Sequence, residues 1–208
     1  SGKDTLVKFA AGSSKAVSIS YQSPDWPIER SVVGLIKQSP DLKLICVENA
    51  RTEKQAGRIS SAFIERFVTD PRPFLFSTGT GCPVHLPNRF VVAISTNYGT
   101  LSEDLANRSC PIHLAPRGNI EDRRTQIGNP KLEFLPQNRE RIEAELRGMI
   151  ERWKTSGRPR SAAVHHPCIN WAQTIGGILE VNGYRDFLSN YSRRRSTDEP
   201  LRRELSML

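Results

Sequence analysis

The chain has 208 residues, enough for one domain of ordinary size or a domain with a short appendage, which excludes a peptide or a stapled mini-protein. Hydrophobic residues make up 37% and charged residues 25%, a globular composition that excludes a disordered or collagen-like chain. The net charge of +8 favours a polyanionic partner such as nucleic acid, although in many proteins a similar excess only aids solubility.

Membrane and redox features of the sequence predict a cytoplasmic protein. No apolar run approaches the roughly 18 to 20 residues of a transmembrane helix, and the first residues lack the layout of a signal peptide. The four cysteines form no CxxC pair, which is typical of a reducing compartment. We therefore expect a location in the cytoplasm and no membrane partner.

The first half of the chain predicts alternating helices and strands. Leu6–Ala11 predicts a short helix, and Leu42–Val47 is a nearly unbroken apolar run, typical of a strand buried on both faces of a parallel sheet. Phe90–Ile94 is a second run of this kind. A helix over 58–68 is predicted from apolar residues at helical spacing, namely Ile59, Phe63 and Phe67. The order strand, helix, strand indicates an α/β fold.

Later segments predict a different organisation. Ile112 and Leu114 suggest one more short strand, and the polar, Gly- and Pro-containing stretch 119–136 predicts a loop. The apolar spacing from Ile142 to Trp153 then predicts an amphipathic helix, and Ile169–Val181 predicts another. The expected domains are a partial α/β core over 1–118, a linker over 119–136, a helical region over 137–191 and a charged flexible tail over 192–208.

The opening Gly2-Lys3-Asp4-Thr5 reads as the second half of a phosphate-binding loop. In such loops backbone N–H groups cradle the phosphates, the lysine contacts the outer phosphates and a hydroxyl holds Mg²⁺. A Gly-Lys pair alone also occurs by chance in many sequences. The strand and glycines that lead into such a loop are absent, so we expect a core truncated at its front.

Two strands end in side chains suited to nucleotide chemistry. Glu48 follows the apolar run in Leu42–Asn49, where a carboxylate at the carboxyl edge of a sheet can hold Mg²⁺ and orient water. Asn97 follows the Phe90–Ile94 run and could hold a water molecule against a terminal phosphate. Arg108 comes eleven residues later and could reach the phosphates held by a neighbouring subunit. Each feature alone is also compatible with an ordinary solvated strand end.

The order of these motifs resembles the ATPase domain of primase-helicases of phages, plasmids and integrative elements, which are AAA+-like P-loop ATPases related to superfamily 3 helicases. The resemblance runs through short motifs along nearly the whole chain: Gly2-Lys3, the strand ending Glu48-Asn49, Ser60-Ser61 on a helix, Val68-Thr69, Leu86-Pro87-Asn88-Arg89, Thr96-Asn97, Asp104-Leu105, Asn138-Arg139, Gly157-Arg158-Pro159, Asn170-Trp171, Gly176-Gly177, Gly183 and Phe187-Leu188.

The resemblance implies an ATP-dependent DNA helicase or translocase, with ATP and Mg²⁺ as ligands, single-stranded DNA as track and a homo-oligomeric ring as the working form. It makes Lys3 the phosphate lysine, with Gly2 beside it in the loop, and Thr5 or Asp4 the metal-side residue. It makes Glu48 the Walker B acid and a magnesium ligand with Thr5. The sensor would be Asn97 and the arginine finger Arg108.

The chain departs from the pattern of that family at three positions. The family usually has Asp where Glu48 stands, Ser or Thr where Asp4 stands and a second arginine where Asn107 stands. A Glu side chain is one methylene longer than Asp and can still reach a cation. Loss of the leading loop glycines removes N–H donors, which would weaken ATP binding.

A hairpin is predicted between the helix over 58–68 and the sensor strand. Two short arms in Phe74–Pro87 flank the turn Thr78–Gly81. Superfamily 3 motors place a hairpin here and push its tip towards single-stranded DNA, so the resemblance makes His85 and Arg89 candidate DNA contacts. An ordinary glycine turn joining two strands would have the same sequence.

Three other interpretations remain open. Two Cys-x-x-His spacings could hold Zn²⁺, but the one at Cys110 and His113 lies on a predicted strand, where alternate residues face opposite sides. Trp153 and Trp171 are interpreted as residues of the hydrophobic core rather than as surfaces on which bases stack.

The alternatives to a helicase ATPase are a nucleotide kinase and a non-catalytic DNA-binding or assembly remnant.

Overall fold

The computed structural model describes residues 3–11, 16–50, 58–76, 83–84, 86–97, 99–112, 114, 128–162, 164–189 and 191. The chain divides into two compact units, Ser1–Leu105 and Ala106–Leu208, and each is described by itself. The predicted boundary at residue 118 and most of the predicted linker and tail lie outside the described residues. None of the described helices is long and apolar enough to cross a membrane.

The first unit is a mixed α/β structure. Its helices are α1 (Lys3–Ala11), α2 (Trp26–Gln38), α3 (Ala62–Thr69) and α4 (Glu103–Asn107), the last of which begins in this unit. Its strands are β1 (Ala16–Ser20), β2 (Leu44–Ala50), β3 (Arg58–Ile59), β4 (Leu75–Phe76), β5 (Pro83–Val84), β6 (Val91–Thr96) and β7 (Thr100–Leu101). The α/β fold class and the helix at the start of the chain are therefore confirmed.

The central sheet has three parallel strands in the order β1-β2-β6. Ile45 and Val47 of β2, which alternate along the strand, face a core built with α2 and α3. That core includes Ile28 and Ile36 of α2 and Phe67 of α3. Because all three strands run in the same direction, their carboxyl ends meet at one edge, where ligands of open α/β sheets bind.

The other face of the sheet carries the residues that alternate with the core. Leu44 and Cys46 are buried but lie outside the core cluster. Helix α1 contacts β2 and β6, and none of its described side chains joins the core. Helix α1 therefore covers this second face, and its first residue, Lys3, is brought to the carboxyl ends of the strands.

The two predicted sheet strands form, but with shifted bounds and unequal burial. Strand β2 runs through Glu48 to Ala50, so Glu48 lies within the strand rather than after it. Strand β6 was predicted to be buried on both faces, which is wrong. Val91 is 62% exposed and the other residues of β6 are only partly covered, because β6 is an outer strand of the described sheet.

The predicted helix over 58–68 begins later than expected. Residues 58–59 instead form β3, which pairs in parallel with β7, and Ile59 is fully buried there. Ser61 has an extended backbone and its hydroxyl accepts a hydrogen bond from the Ile64 N–H at 3.1 Å. It therefore caps α3, and the placement of Ser60-Ser61 on a helix is wrong. The helix ends at Thr69, one residue beyond the predicted end, and Asp70 is its C-cap residue.

The predicted hairpin arms are confirmed. Strands β4 and β5 pair in antiparallel fashion, with Leu75 opposite Val84 and Phe76 opposite Pro83. The turn Thr78–Gly81 lies outside the described residues. Asn88 fixes the chain after the hairpin, since its amide donates to the Asp70 carbonyl oxygen at 3.0 Å.

The second unit is helical in its described part. It contains a π-helical turn, Pro130–Phe134, which continues into α5 (Leu135–Thr155), and a further helix, α6 (Ile169–Val181). Both predicted helices are confirmed. The loop predicted over 119–136 is wrong for residues 130–136, which are helical, and residues 119–127 lie outside the described residues. Pro130 and Pro136 stand in first helical turns, where a missing N–H costs no hydrogen bond. The strand predicted at Ile112 and Leu114 is also wrong, since both residues are exposed and unpaired in any sheet.

Helices α5 and α6 are tied together by the segment between them. The Trp153 indole donates to the Pro159 carbonyl oxygen at 2.8 Å. Gly177 of α6 packs so closely on Pro159 that a Cβ there would lie 2.0 Å from the same oxygen. Trp171 is 44% exposed and is not a buried core anchor; its ring packs against His166 and Phe187 instead.

Candidate functional site

Lys3 and Asn97 meet at the carboxyl edge of the central sheet. The Lys3 ammonium donates to the Thr96 carbonyl oxygen at 2.9 Å and also to the Asn97 side-chain oxygen. These two bonds use two of the three ammonium donors, so one remains for an anionic oxygen. Because the Asn97 oxygen is engaged, its NH₂ group is the part of that amide able to donate to a ligand.

Glu48 lies at the same edge on the neighbouring strand. Ser20 of β1 pairs with Glu48, and Ala50, two residues beyond it, pairs with Thr96 of β6. The Thr96 hydroxyl donates to the Ala50 carbonyl oxygen at 2.8 Å, which ties the two strand ends together. Glu48 alternates with Val47, so its side chain is on the face that α1 covers, not on the core face.

The strand carrying Glu48 is irregular at this point. The pairing of β2 with β6 shifts register between Val47 and Ala50, and Asn49 has a φ of 55°. A bulge of this kind bends a strand and redirects its side chains, and bulges are frequent beside functional sites. Asparagine is among the few residues that adopt a positive φ readily.

Ser18 holds the Glu48 carboxylate from the next strand. Its hydroxyl donates a hydrogen bond to Glu48 Oε1, and both side chains lie on the same face of the sheet. A carboxylate has about four lone-pair positions, so Glu48 can accept bonds from several groups at once.

Tyr21 fixes the chain that leaves β1 beside the site. Its N–H donates to the Glu48 carbonyl oxygen at 3.0 Å, and its hydroxyl donates to the Ser60 carbonyl oxygen at 2.8 Å. Burial raises the pKa of the Tyr21 hydroxyl; the bond to the Ser60 carbonyl lowers it by less, and the Asp25 carboxylate raises it by a still smaller amount. The hydroxyl therefore stays a protonated donor at neutral pH.

The turn after β6 is packed too closely for a side chain. A Cβ on Gly99 would lie 2.3 Å from Thr96 Oγ1 and 2.4 Å from Ile59 Cδ1. Glycine at this position therefore lets the chain turn directly against Thr96, which sets where Asn97 emerges from the strand.

Of the other predicted site residues, only two arginines have side chains that the structure describes. Gly2 and His85 lie outside the described residues, as do the side chains of Asp4 and Thr5. Arg89 is exposed in the first unit, and Arg108 is exposed in the second. The predicted roles of all these residues stay predictions.

The donor set fits magnesium held together with a nucleotide. Among the described residues no three His, Cys, Asp or Glu side chains form a group that could hold a metal ion by themselves. Magnesium at a phosphate site needs fewer protein ligands than this, because it is held by one or two carboxylates together with the phosphates and water. Glu48, bonded to Ser18 and only partly covered, is a carboxylate of this kind. Cys82, His85 and His113 of the two Cys-x-x-His spacings lie outside the described residues.

Sequence reasoning missed two members of the site, Ser18 and Tyr21. Both belong to β1 or follow it directly, and β1 was not predicted. The signal for it was present, since Val17 and Ile19 alternate with Ser18 and Ser20 in the half-buried pattern of a strand.

In comparisons with known proteins, no protein family, curated protein or solved structure matches this chain.

Proposed function

We propose that this chain is the ATPase domain of an AAA+-like, superfamily 3-type DNA helicase or translocase that acts in the replication of a mobile element. The observation that carries the proposal is the contact of the Lys3 ammonium with Asn97 at the carboxyl edge of the sheet. A cation, an amide donor and, on the adjacent strand, a carboxylate are the groups that phosphoryl transfer requires.

Each of these residues has a distinct task in the proposal. Lys3, at the start of a helix, binds the outer phosphates of ATP with its third donor. Asn97 positions a water molecule for in-line attack through its NH₂ group. Glu48 holds Mg²⁺ directly or through water, with Thr5 as a second candidate. The ion, when bound, neutralises charge on the phosphates.

The working form in this proposal is a homo-oligomeric ring. Charge on the transferring phosphoryl group needs more cationic support than Lys3 provides. An arginine from a neighbouring copy supplies such support in related chemistry. Arg108 is the residue assigned to this task, and its exposed side chain is compatible with reaching another copy.

Mg²⁺-dependent binding and hydrolysis of ATP test the proposal. We expect the chain to bind a fluorescent ATP analogue with Mg²⁺ but much more weakly with EDTA, and to release phosphate faster when single-stranded DNA is added. Absence of Mg²⁺-dependent binding would overturn the assignment. DNA binding without any hydrolysis would favour a non-catalytic remnant, and phosphate transfer to nucleoside monophosphates would favour a kinase.

A further inference from the structure

Two side chains bond to the backbone on either side of Arg108, the residue that directly follows α4. The Tyr191 hydroxyl donates to the Asn107 carbonyl oxygen at 3.2 Å. The ring nitrogen Nε2 of His166 lies 3.4 Å from the Ser109 carbonyl oxygen. All five residues belong to the second unit. The carbonyl groups before and after Arg108 are therefore both contacted by side chains that lie 84 and 57 positions further along the chain.

The neighbours of His166 fix which ring nitrogen carries the proton. The Cys168 N–H donates to His166 Nδ1 at 3.0 Å, so Nδ1 is an acceptor and carries no proton. In the neutral ring the proton is then on Nε2, which faces the Ser109 carbonyl, a group that can only accept. His166 thus donates to Ser109 and accepts at the start of α6, where Cys168 is the N-cap residue.

His166 and Tyr191 form one buried pair. Each is 7% exposed, and their ring centroids lie 4.9 Å apart. The His166 ring also lies against Trp171 of α6, with the centroids 5.6 Å apart. Side chains packed in this way keep one rotamer, so both donors have a defined position. The side chain of Arg108, in contrast, is exposed.

The backbone that leads to Tyr191 is held in place by its own contacts. Leu188 has a φ of 59°, which is an unfavourable conformation for a leucine. The preceding Phe187 packs edge-on against Trp171, with the ring centroids 5.9 Å apart. The Tyr191 N–H donates to the Leu188 carbonyl oxygen at 2.9 Å. Because such a conformation persists only where the surrounding structure fixes it, this turn places Tyr191 firmly at the end of α4.

We propose that His166 and Tyr191 are positioning residues that hold Arg108 in the geometry required for hydrolysis of the ATP bound to a neighbouring copy. This role rests on the proposed function, in which Arg108 is the arginine finger. A finger accelerates hydrolysis only where its guanidinium meets the charge that develops on the phosphoryl group. A displacement of about 1 Å can cost about 100-fold in rate. Bonds on both sides of Arg108 limit such displacement, so His166 and Tyr191 act through Arg108 and do not themselves contact ATP.

Steady-state ATPase assays of single and double variants of the full chain test this role. Tyr191→Phe removes the hydroxyl and keeps the ring, so we expect kcat to fall by about 10- to 100-fold. The Kd for Mg·ATP should stay that of the wild type, because Arg108 acts on charge that develops during the reaction. In an Arg108→Ala chain the same change should lower kcat no further. An additional loss in that background would show that Tyr191 does not act through Arg108, and would overturn the proposal.

Two variants of His166 test the bond to Ser109. A Gln side chain places its amide nitrogen about where Nε2 lies, whereas Asn places its amide oxygen about where Nδ1 lies. His166→Gln therefore keeps the donor to Ser109 and should hydrolyse ATP at nearly the wild-type rate. His166→Asn keeps only the acceptor for Cys168 and should lose about as much as Tyr191→Phe. Equal rates for the two His166 variants would contradict the proposal.

Trp153→Phe is the matched control, because it also removes a side-chain donor to a backbone carbonyl of the second unit, that of Pro159. It should leave kcat unchanged, and urea unfolding compares the stability of all variants. A wild type that does not hydrolyse ATP overturns both the proposed function and this role. Full activity of Arg108→Ala overturns the finger and this role but leaves the ATP site. Loss of activity in Arg108→Ala with unchanged kcat in Tyr191→Phe and His166→Asn overturns this role alone.

Discussion

The Lys3 ammonium donates to the Asn97 side-chain oxygen, although 94 positions separate the two residues in the chain. Two structural facts bring them together. Helix α1 begins at Lys3 and packs on β2 and β6, and β6 ends immediately before Asn97. The contact therefore forms because the first residue of α1 and the carboxyl end of β6 lie at the same edge of the parallel sheet.

If Lys3 and Asn97 share one phosphate site, their effects on ATP affinity should be coupled. We expect Lys3→Ala to weaken Mg·ATP binding by about 10- to 100-fold, since hydrogen bonds to charged groups contribute about 1.5–3 kcal/mol. Asn97→Ala should cost less, and the double variant should lose less than the two single losses combined. Isothermal titration calorimetry measures all four affinities. The matched control is Lys43→Ala, an exposed lysine just before the start of β2; equal losses for Lys3→Ala and Lys43→Ala would contradict the shared site.

The cap of α3 should contribute measurably to the stability of the first unit. Ser61→Ala removes the acceptor of the Ile64 N–H and leaves a buried donor, so we expect a loss of about 1–2 kcal/mol. Urea unfolding measures the loss. Ser60→Ala is the control, because the Ser60 side chain is exposed and only its backbone carbonyl is used, by Tyr21. A similar loss in both variants would show that the capping bond is not the cause.

Two glycines of the second unit should respond in opposite directions to the same substitution. Gly177→Ala drives a methyl group into the Pro159 carbonyl, so we expect a loss of about 1–3 kcal/mol or more. Gly148 lies in α5 with nothing within 4 Å of a Cβ. Gly148→Ala should therefore stabilise the helix by about 0.5–1 kcal/mol. Thermal unfolding gives the sign of each change, and destabilisation by both would mean that α5 is packed at Gly148.

The sequence predicted those elements whose apolar pattern is continuous or regularly spaced. Strands β2 and β6 were found because their apolar runs are continuous, and α5 and α6 because their apolar spacing is regular. Helix α2 was not predicted, although Ile28, Val32 and Ile36 have helical spacing and are all buried. The start of α3 was misplaced because Ile59 happens to continue the spacing of Phe63 and Phe67, although it is buried as part of β3.

The sequence predicted only that part of the candidate site whose residues lie at the carboxyl ends of strands. Parallel strands bring their carboxyl ends together, so the neighbourhood of Glu48 and Asn97 follows from two predicted strands. The bond from Ser18 to Glu48 could not be predicted, because it depends on β1 and on its register with β2.

Single-turnover hydrolysis of ATP by the wild type and by Glu48→Gln tests whether the Glu48 carboxylate takes part in ATP hydrolysis, because this change removes the charge and keeps the shape. We expect the variant to bind Mg·ATP more weakly than the wild type, because Glu48 holds Mg²⁺, and to hydrolyse bound ATP at least about 100-fold more slowly. Glu103→Gln, on an exposed position of α4, should leave the rate unchanged. Hydrolysis by Glu48→Gln at the wild-type rate would contradict the account, and so would a wild type that neither binds nor hydrolyses ATP.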